Sequence, residues 1–186
     1  MNEIFGLRWN GFCSSVVGEA LGGKTDELWW LTCVQCGAFS DPNWDEVEAH
    51  LEKFWFKVPQ FENTSAVALR PGALSAGAHL MSWDEWAYLL GFRASNEVEA
   101  TLLSPELADL SMPHKIWSHL GSSIELFVDD FAGGDAAVFT SRRDWFDRLR
   151  IACPQSQEIT PREWQQIFDD AEKETQEYLQ NLRKSL

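Results

Sequence analysis

Positive charge is what this chain has least of. Of its 186 residues only 15 are Lys or Arg, against 29 Asp and Glu, so the formal net charge is −14. Residues 26–52 contain no Lys or Arg, and residues 94–141 contain only Lys115. These two stretches contribute −7 each, which leaves the remainder of the chain neutral in sum. DNA, RNA and anionic membrane surfaces all require a basic footprint, so direct binding to any of them is not expected. A field of this sign steers in a basic partner instead.

Other absences narrow the class further. No run of about 18 apolar residues occurs, which excludes a helix spanning a membrane. The opening MNEIFGLRWNGF has neither the basic n-region nor the apolar h-region of a signal peptide, so a soluble, cytoplasmic protein is expected. Four Cys are too few for a disulfide scaffold at this length. Tyr is scarce, with two residues against ten Trp and twelve Phe. So many indoles rarely all fit inside one domain, so several Trp are expected to lie partly exposed.

What is present is an ordinary globular balance, 45% apolar and 24% charged, which suits a single domain over residues 1–186. One helix-start signature recurs: Ser82-Trp-Asp-Glu85-Trp86, Ser141-Arg-Arg-Asp144-Trp145 and Thr160-Pro-Arg-Glu163-Trp164. In each, a hydroxyl can accept from the third helical N–H while the acid reaches back to the cap's own N–H. Met81 and Ile159 precede two of these caps and can staple onto Trp86 and Trp164. The caps predict helices at about 82–91, 141–151 and 160–184, with Gly91 ending the first. Further helices are expected at 42–54 and across 105–120.

The last helix is the clearest. Trp164, Phe168, Ala171, Thr175, Tyr178 and Leu182 follow a 4-3-4-3-4 spacing, one apolar seam along roughly 37 Å. Acids dominate its first half and Arg183 and Lys184 its end, which suits the helix dipole. Such a seam can dimerise, but Ala and Thr make it thin, and packing onto its own domain is the expectation. Strands are predicted at 28–33, 54–58, 66–70, 124–128 and 136–140, with DDFAGGD as a hairpin connection between the last two. The fold class is therefore α+β: one compact domain with a small, mostly antiparallel sheet, several capped helices and a long C-terminal amphipathic helix.

Three motifs carry possible chemistry. GEALGGKT (18–25) satisfies the phosphate-loop pattern. If it resembles the loop of P-loop NTPases, Gly18 and Gly23 shape it, Lys24 meets the β/γ-phosphates and Thr25 the Mg²⁺, with Asp129 of LFVDD behind the metal. Against this, FCSSVV is poorly apolar for a buried strand, and Glu19, Asp26 and Glu27 surround a single Lys. The other reading of the same letters is a helix capped at Ser14 or Ser15, with Phe12, Val16 and Ala20 along one side, ended at Gly22-Gly23 in the left-handed conformation.

Cys33-Val-Gln-Cys36 has zinc-ligand spacing, and His50 with Cys13 would complete a four-ligand set. The second His of a finger is absent, and a half-motif of this kind is more often a pair of buried thiols. His114 and His119 are five apart, off one helical face, and no G-x-S-x-G or H-E-x-x-H occurs. No hydrolase constellation is legible.

The third motif is acid interleaved with Trp. Asp41-Pro-Asn-Trp44-Asp45-Glu46, with Glu48 beyond it, and Trp83-Asp84-Glu85 set indoles among carboxylates, and Asp129, Asp130 and Asp135 flank the hairpin connection. Interfaces use this combination, flat apolar anchors for affinity and charge for steering. In composition and size, though not in motif, the chain resembles bacterial immunity proteins and antitoxins that plug nucleases, and inhibitors that imitate DNA charge. The resemblance implies a non-enzymatic inhibitor without a cofactor, neutralising a basic partner such as a nuclease toxin. A small P-loop nucleotide-binding protein or kinase is the alternative.

Overall fold

The computed structural model describes residues 3–10, 14–34, 55–57, 65–72, 86–108, 116–131 and 135–185. Its strands are β1 (Phe5–Asn10), β2 (Trp29–Val34), β3 (Trp55–Lys57), β4 (Ser65–Leu69), β5 (Trp86–Phe92), β6 (Ile124–Phe131), β7 (Asp135–Thr140) and β8 (Gln157–Glu158). They form one eight-stranded sheet in the order β3-β4-β2-β5-β6-β7-β1-β8. Every neighbouring pair is antiparallel. The fold is thus mixed α+β, but its sheet is large where a small one was expected. The strands the sequence reading missed are β1, β5 and β8.

Helices cover both faces: α1 (Ser14–Leu21), α2 (Glu97–Ala108), α3 (Arg143–Ala152) and α4 (Pro161–Ser185). Side chains alternate across the strands, so each strand feeds two cores. Trp30, Leu89, Leu126, Val128 and Val138 pack on one face with Val17 and Leu21 of α1 and Trp145, Phe146 and Leu149 of α3. Trp29, Leu31, Leu90, Phe92, Phe127 and Phe139 pack on the other with Ala100 of α2, Ile116, Leu120 and Trp164 of α4. A sheet buried on both sides explains why IELFV and AAVFT read as near-continuous apolar runs. It also absorbs half of the ten Trp residues: Trp9, Trp29, Trp30, Trp145 and Trp164 are buried, while Trp117 is only half-buried.

The expected helix at 82–91 is replaced by β5. Its apolar run is hydrogen-bonded to β2 on one side and β6 on the other, and that non-local pairing overrides the local cap. Gly91 ends no helix; a Cβ there would stand 3.0 Å from Leu28 Cδ1 and 3.1 Å from the Trp30 ring. α2 starts at Glu97, capped by Asn96, whose Oδ1 accepts from Glu99 N–H at 3.0 Å. Of the helix expected across 105–120, residues 105–108 are the end of this earlier-starting α2, and 109–115 lie outside the described residues. Near its predicted end the chain instead turns, with the His119 carbonyl accepting from the N–H groups of Ser122, Ser123 and Ile124. The 42–54 helix lies outside the described residues.

Of the capping boxes, Thr160–Glu163 is built in full. Glu163 N–H donates to Thr160 Oγ1 at 3.2 Å, and Thr160 N–H donates to Glu163 Oε2 at 2.8 Å. Those bonds from Thr160, backbone first, hold the Glu163 carboxyl below its ordinary range. Ile159 packs in the same core cluster as Trp164, as a staple requires. The Ser141 box does not form: α3 begins after Arg142, which makes no side-chain capping bond. Arg142 N–H donates to Thr140 Oγ1 instead, at 3.1 Å.

Candidate partner-binding end of the sheet

Strand register decides which loops are neighbours. Val34, the last residue of β2, pairs with Ser65 of β4 and with Trp86, the first residue of β5. Tyr88 of β5 pairs with Asp129 of β6, Phe131 with Asp135 of β7, and Asp135 with Asn10 of β1. These positions all lie at one end of the sheet. The chain leaves β2 there toward Asp41, Trp44, Asp45, Glu46 and Glu48, and enters β5 directly from Trp83-Asp84-Glu85. The register thus brings the entry to β5, beside Trp83-Asp84-Glu85, and the Asp130/Asp135 hairpin to the same end. The connection holding 41–48 leaves β2 at this end but re-enters at Trp55, level with Leu69 and Trp30 at the opposite end. Residues 41–48 and 83–85 themselves lie outside the described residues.

The hairpin departs from its expected form. β6 extends through Phe131, so Asp129 and Asp130 are strand residues and not part of the connection. Asp129 faces the core, only 4% exposed, and accepts a hydrogen bond from Trp164 Nε1 at 2.8 Å. It therefore anchors α4 to the sheet and is unavailable as a surface charge. The cause is the pleat: Leu126 and Val128 point to one core, so Phe127 and Asp129 must point to the other.

The opposite end of the sheet carries acids of both negative stretches, but there they are paired. Arg93, just past β5, bonds Glu27 at 3.3 Å and Glu125 at 3.1 Å, bridging the 26–52 and 94–141 stretches. Partial burial opposes the Arg93 charge, but the two carboxylate bonds outweigh it and raise the guanidinium pKa further. Arg70 forks onto Glu97 through two bonds of 3.0 Å. Glu99 accepts from the hydroxyl and the N–H of Ser95, and those bonds depress its pKa. Several of the acids that looked free in the sequence are thus structural at this end.

The phosphate-loop letters do not occupy a phosphate-loop geometry. Gly18 lies inside α1, Gly22 has a φ of +55°, and Gly22–Glu27, which contains Gly23, Lys24 and Thr25, forms a short 3₁₀ helix leading into β2. The order is helix, turn, antiparallel strand, whereas phosphate binding needs strand, loop and then a helix N-terminus. Lys24 Nζ is held by Asp144 Oδ2 at 3.2 Å, and Asp129 is beneath Trp164. The helix reading is the one seen, although Val17, Ala20 and Leu21 form its buried side. Cys13, Cys36 and His50 of the zinc set lie outside the described residues; Cys33 is in β2. Among the described residues no group of His, Cys, Asp or Glu gathers as metal ligands.

Sequence reasoning overlooked one surface. Every residue of α4 from 176 to 183 is exposed, including Tyr178 at 66%, Leu179 at 46% and Leu182 at 44%. Among the described side chains of α4, Trp164 and Ile167 of the first turns join the core. The seam spacing was legible; that its far half stays off the body was not.

No protein family, curated protein or solved structure matches this chain. Among the described residues no helix is long and apolar enough to cross a membrane.

Proposed function

We propose that this chain is an acidic, non-enzymatic inhibitor that docks on a basic protein and blocks it. The class that fits is an immunity- or antitoxin-type protein opposing a toxin such as a nuclease, or a DNA-mimic inhibitor, acting in the cytoplasm and binding no nucleic acid directly. One observation carries the reading: the strand register brings the entry to β5, directly after Trp83-Asp84-Glu85, and the Asp130/Asp135 hairpin to a single end of the sheet, where β2 also leaves toward the Asp/Trp segment 41–48. Carboxylates concentrated there attract a cationic cleft, and the interleaved indoles then bury apolar area to slow dissociation. A nuclease is the apt target because its substrate cleft is itself basic.

The test is inhibition of a panel of basic ribonucleases and deoxyribonucleases, with association rates measured from low to high salt. Stoichiometric inhibition of one member, with an on-rate falling steeply as salt rises, is expected. Reversing Asp45, Glu46 and Glu48 together should weaken that binding while leaving the circular-dichroism spectrum unchanged. A salt-independent on-rate, or affinity indifferent to the reversal, removes this reading.

A further inference from the structure

We propose that the outward face of α2, centred on Val98 and Leu102, docks an amphipathic helix rich in Lys and Arg from another protein. This surface is separate from the sheet end above, because α2 starts at the opposite end, where Arg70 forks onto Glu97. The inference therefore stands whether or not the sheet end binds a toxin. Residues three and four apart share one face of a helix. Ala100 is fully buried and Leu103 packs against the same core, so that side of α2 lies on the sheet, against β2 and β4. Val98 and Leu102, one turn apart, occupy the other side, each 70% exposed. They form a short aliphatic ridge, the kind of surface that a facing helix takes into its groove.

Charge names the occupant. Every charged residue of α2 is an acid: Glu97, Glu99 and Glu106. Glu99 stands three residues before Leu102 and Glu106 four after it, so both positions fall on the side of the helix that carries the ridge. Glu99 is exposed, and the bonds it accepts from the N–H and hydroxyl of Ser95 keep it ionised, with its pKa below the ordinary range. The two arginines beside the helix start are already matched, Arg70 to Glu97 and Arg93 to Glu27 and Glu125. From Ala94 to His114 the chain supplies no Lys or Arg. A second copy presenting the same helix is thereby excluded, because α2 against α2 sets acid on acid in either direction. A helix with aliphatic anchors along one side and cations flanking them matches both the ridge and its acid border.

The probe is a labelled synthetic helix of about 18 residues, with leucines on one face and lysines elsewhere, titrated with the full chain by fluorescence anisotropy. Saturable binding is expected, weakening as salt rises. A scrambled peptide of the same composition has no apolar face and should bind about tenfold more weakly or worse. A version with Glu in place of Lys should not bind. Val98→Gln with Leu102→Gln should raise the peptide Kd about tenfold by removing the ridge. Glu99→Gln, which keeps an acceptor for Ser95, should raise it about threefold at low salt and leave it unchanged at high salt. These side chains are exposed, and an unchanged thermal midpoint confirms that each variant folds. Reversing Asp45, Glu46 and Glu48 should leave the high-salt Kd unmoved, which separates this face from the sheet end. A scrambled peptide that binds equally well, a Val98/Leu102 variant that binds like the wild type, or no binding at any salt each overturns the proposal. Loss of high-salt binding on reversal of Asp45, Glu46 and Glu48 overturns it too.

Discussion

The indole N–H of Trp164, in the second turn of α4, donates to the carboxylate of Asp129 on β6 at 2.8 Å, with both residues inside the core. This sequence-distant bond ties α4 to the sheet. Replacing Trp164 by Phe keeps most of the packing but removes the donor from a buried carboxylate. We expect a loss of about 1–3 kcal/mol in urea unfolding. Trp145→Phe is the control. Trp145 is equally buried, but its Nε1 has no hydrogen-bond partner among the described residues, so the smaller loss should come from packing alone.

Two glycines should differ in what they tolerate. At Gly91 an added Cβ meets Leu28 Cδ1 at 3.0 Å and the Trp30 ring at 3.1 Å, contacts that side-chain shifts can relieve in part. At Gly6 it would collide with the Phe139 ring and with the Ile159 carbonyl, which is backbone. Ile159 cannot retreat freely, because its N–H donates to the Gly6 carbonyl at 3.0 Å. Gly91→Ala should cost about 1–2 kcal/mol and Gly6→Ala about 3 kcal/mol, read from denaturant midpoints.

Acid should loosen the helix starts. Glu163 and Glu99 both have carboxyl pKa values lowered by hydrogen bonds, from Thr160 and from Ser95 respectively. A depressed folded pKa contributes stability that is fully present above the ordinary glutamate range and is lost as pH falls through the folded value. The Thr160→Ala variant keeps the backbone bond to Glu163 but loses the hydroxyl, so it should lie below the wild type at neutral pH. The gap should narrow in acid without closing, because the lost Oγ1 acceptor does not titrate. Urea midpoints measured across that range check the sign; parallel curves would contradict it.

Lys24 should prove dispensable. Its ion pair with Asp144 is 3.2 Å long but both side chains are more than a third exposed, so Lys24→Ala should cost under about 1 kcal/mol. Burial works against the Asp144 charge, and bonds from Arg142 and Lys24 together keep its pKa low. Arg142 remains in the variant. Mg-ATP and Mg-GTP should leave the thermal midpoint of wild type and variant alike unmoved. A nucleotide-dependent shift that vanishes with Lys24 would restore the phosphate-loop reading.

What could be read from the sequence was local or additive. The Thr160–Glu163 box, the apolar runs of β2, β6 and β7 and the surplus of acid needed no knowledge of distant residues, because caps act within one turn and charge simply sums. Helix against strand at 82–92 was a non-local matter. A hydroxyl, an acid and a Trp in sequence favoured a helix, but β2 and β6 offered ladder bonds on both sides of WAYLLGF, and pairing won. The fates of individual acids were likewise set by folding. Asp129 went inside because the pleat turned it toward Trp164, and Glu27 and Glu125 were bridged because β2, β5 and β6 end together beside Arg93. Composition fixed how much negative charge this protein carries; only strand register decided which carboxylates meet an arginine, which are buried, and that the entry to β5 and the Asp130/Asp135 hairpin share one end of the sheet, since that depends on distances the linear chain does not contain.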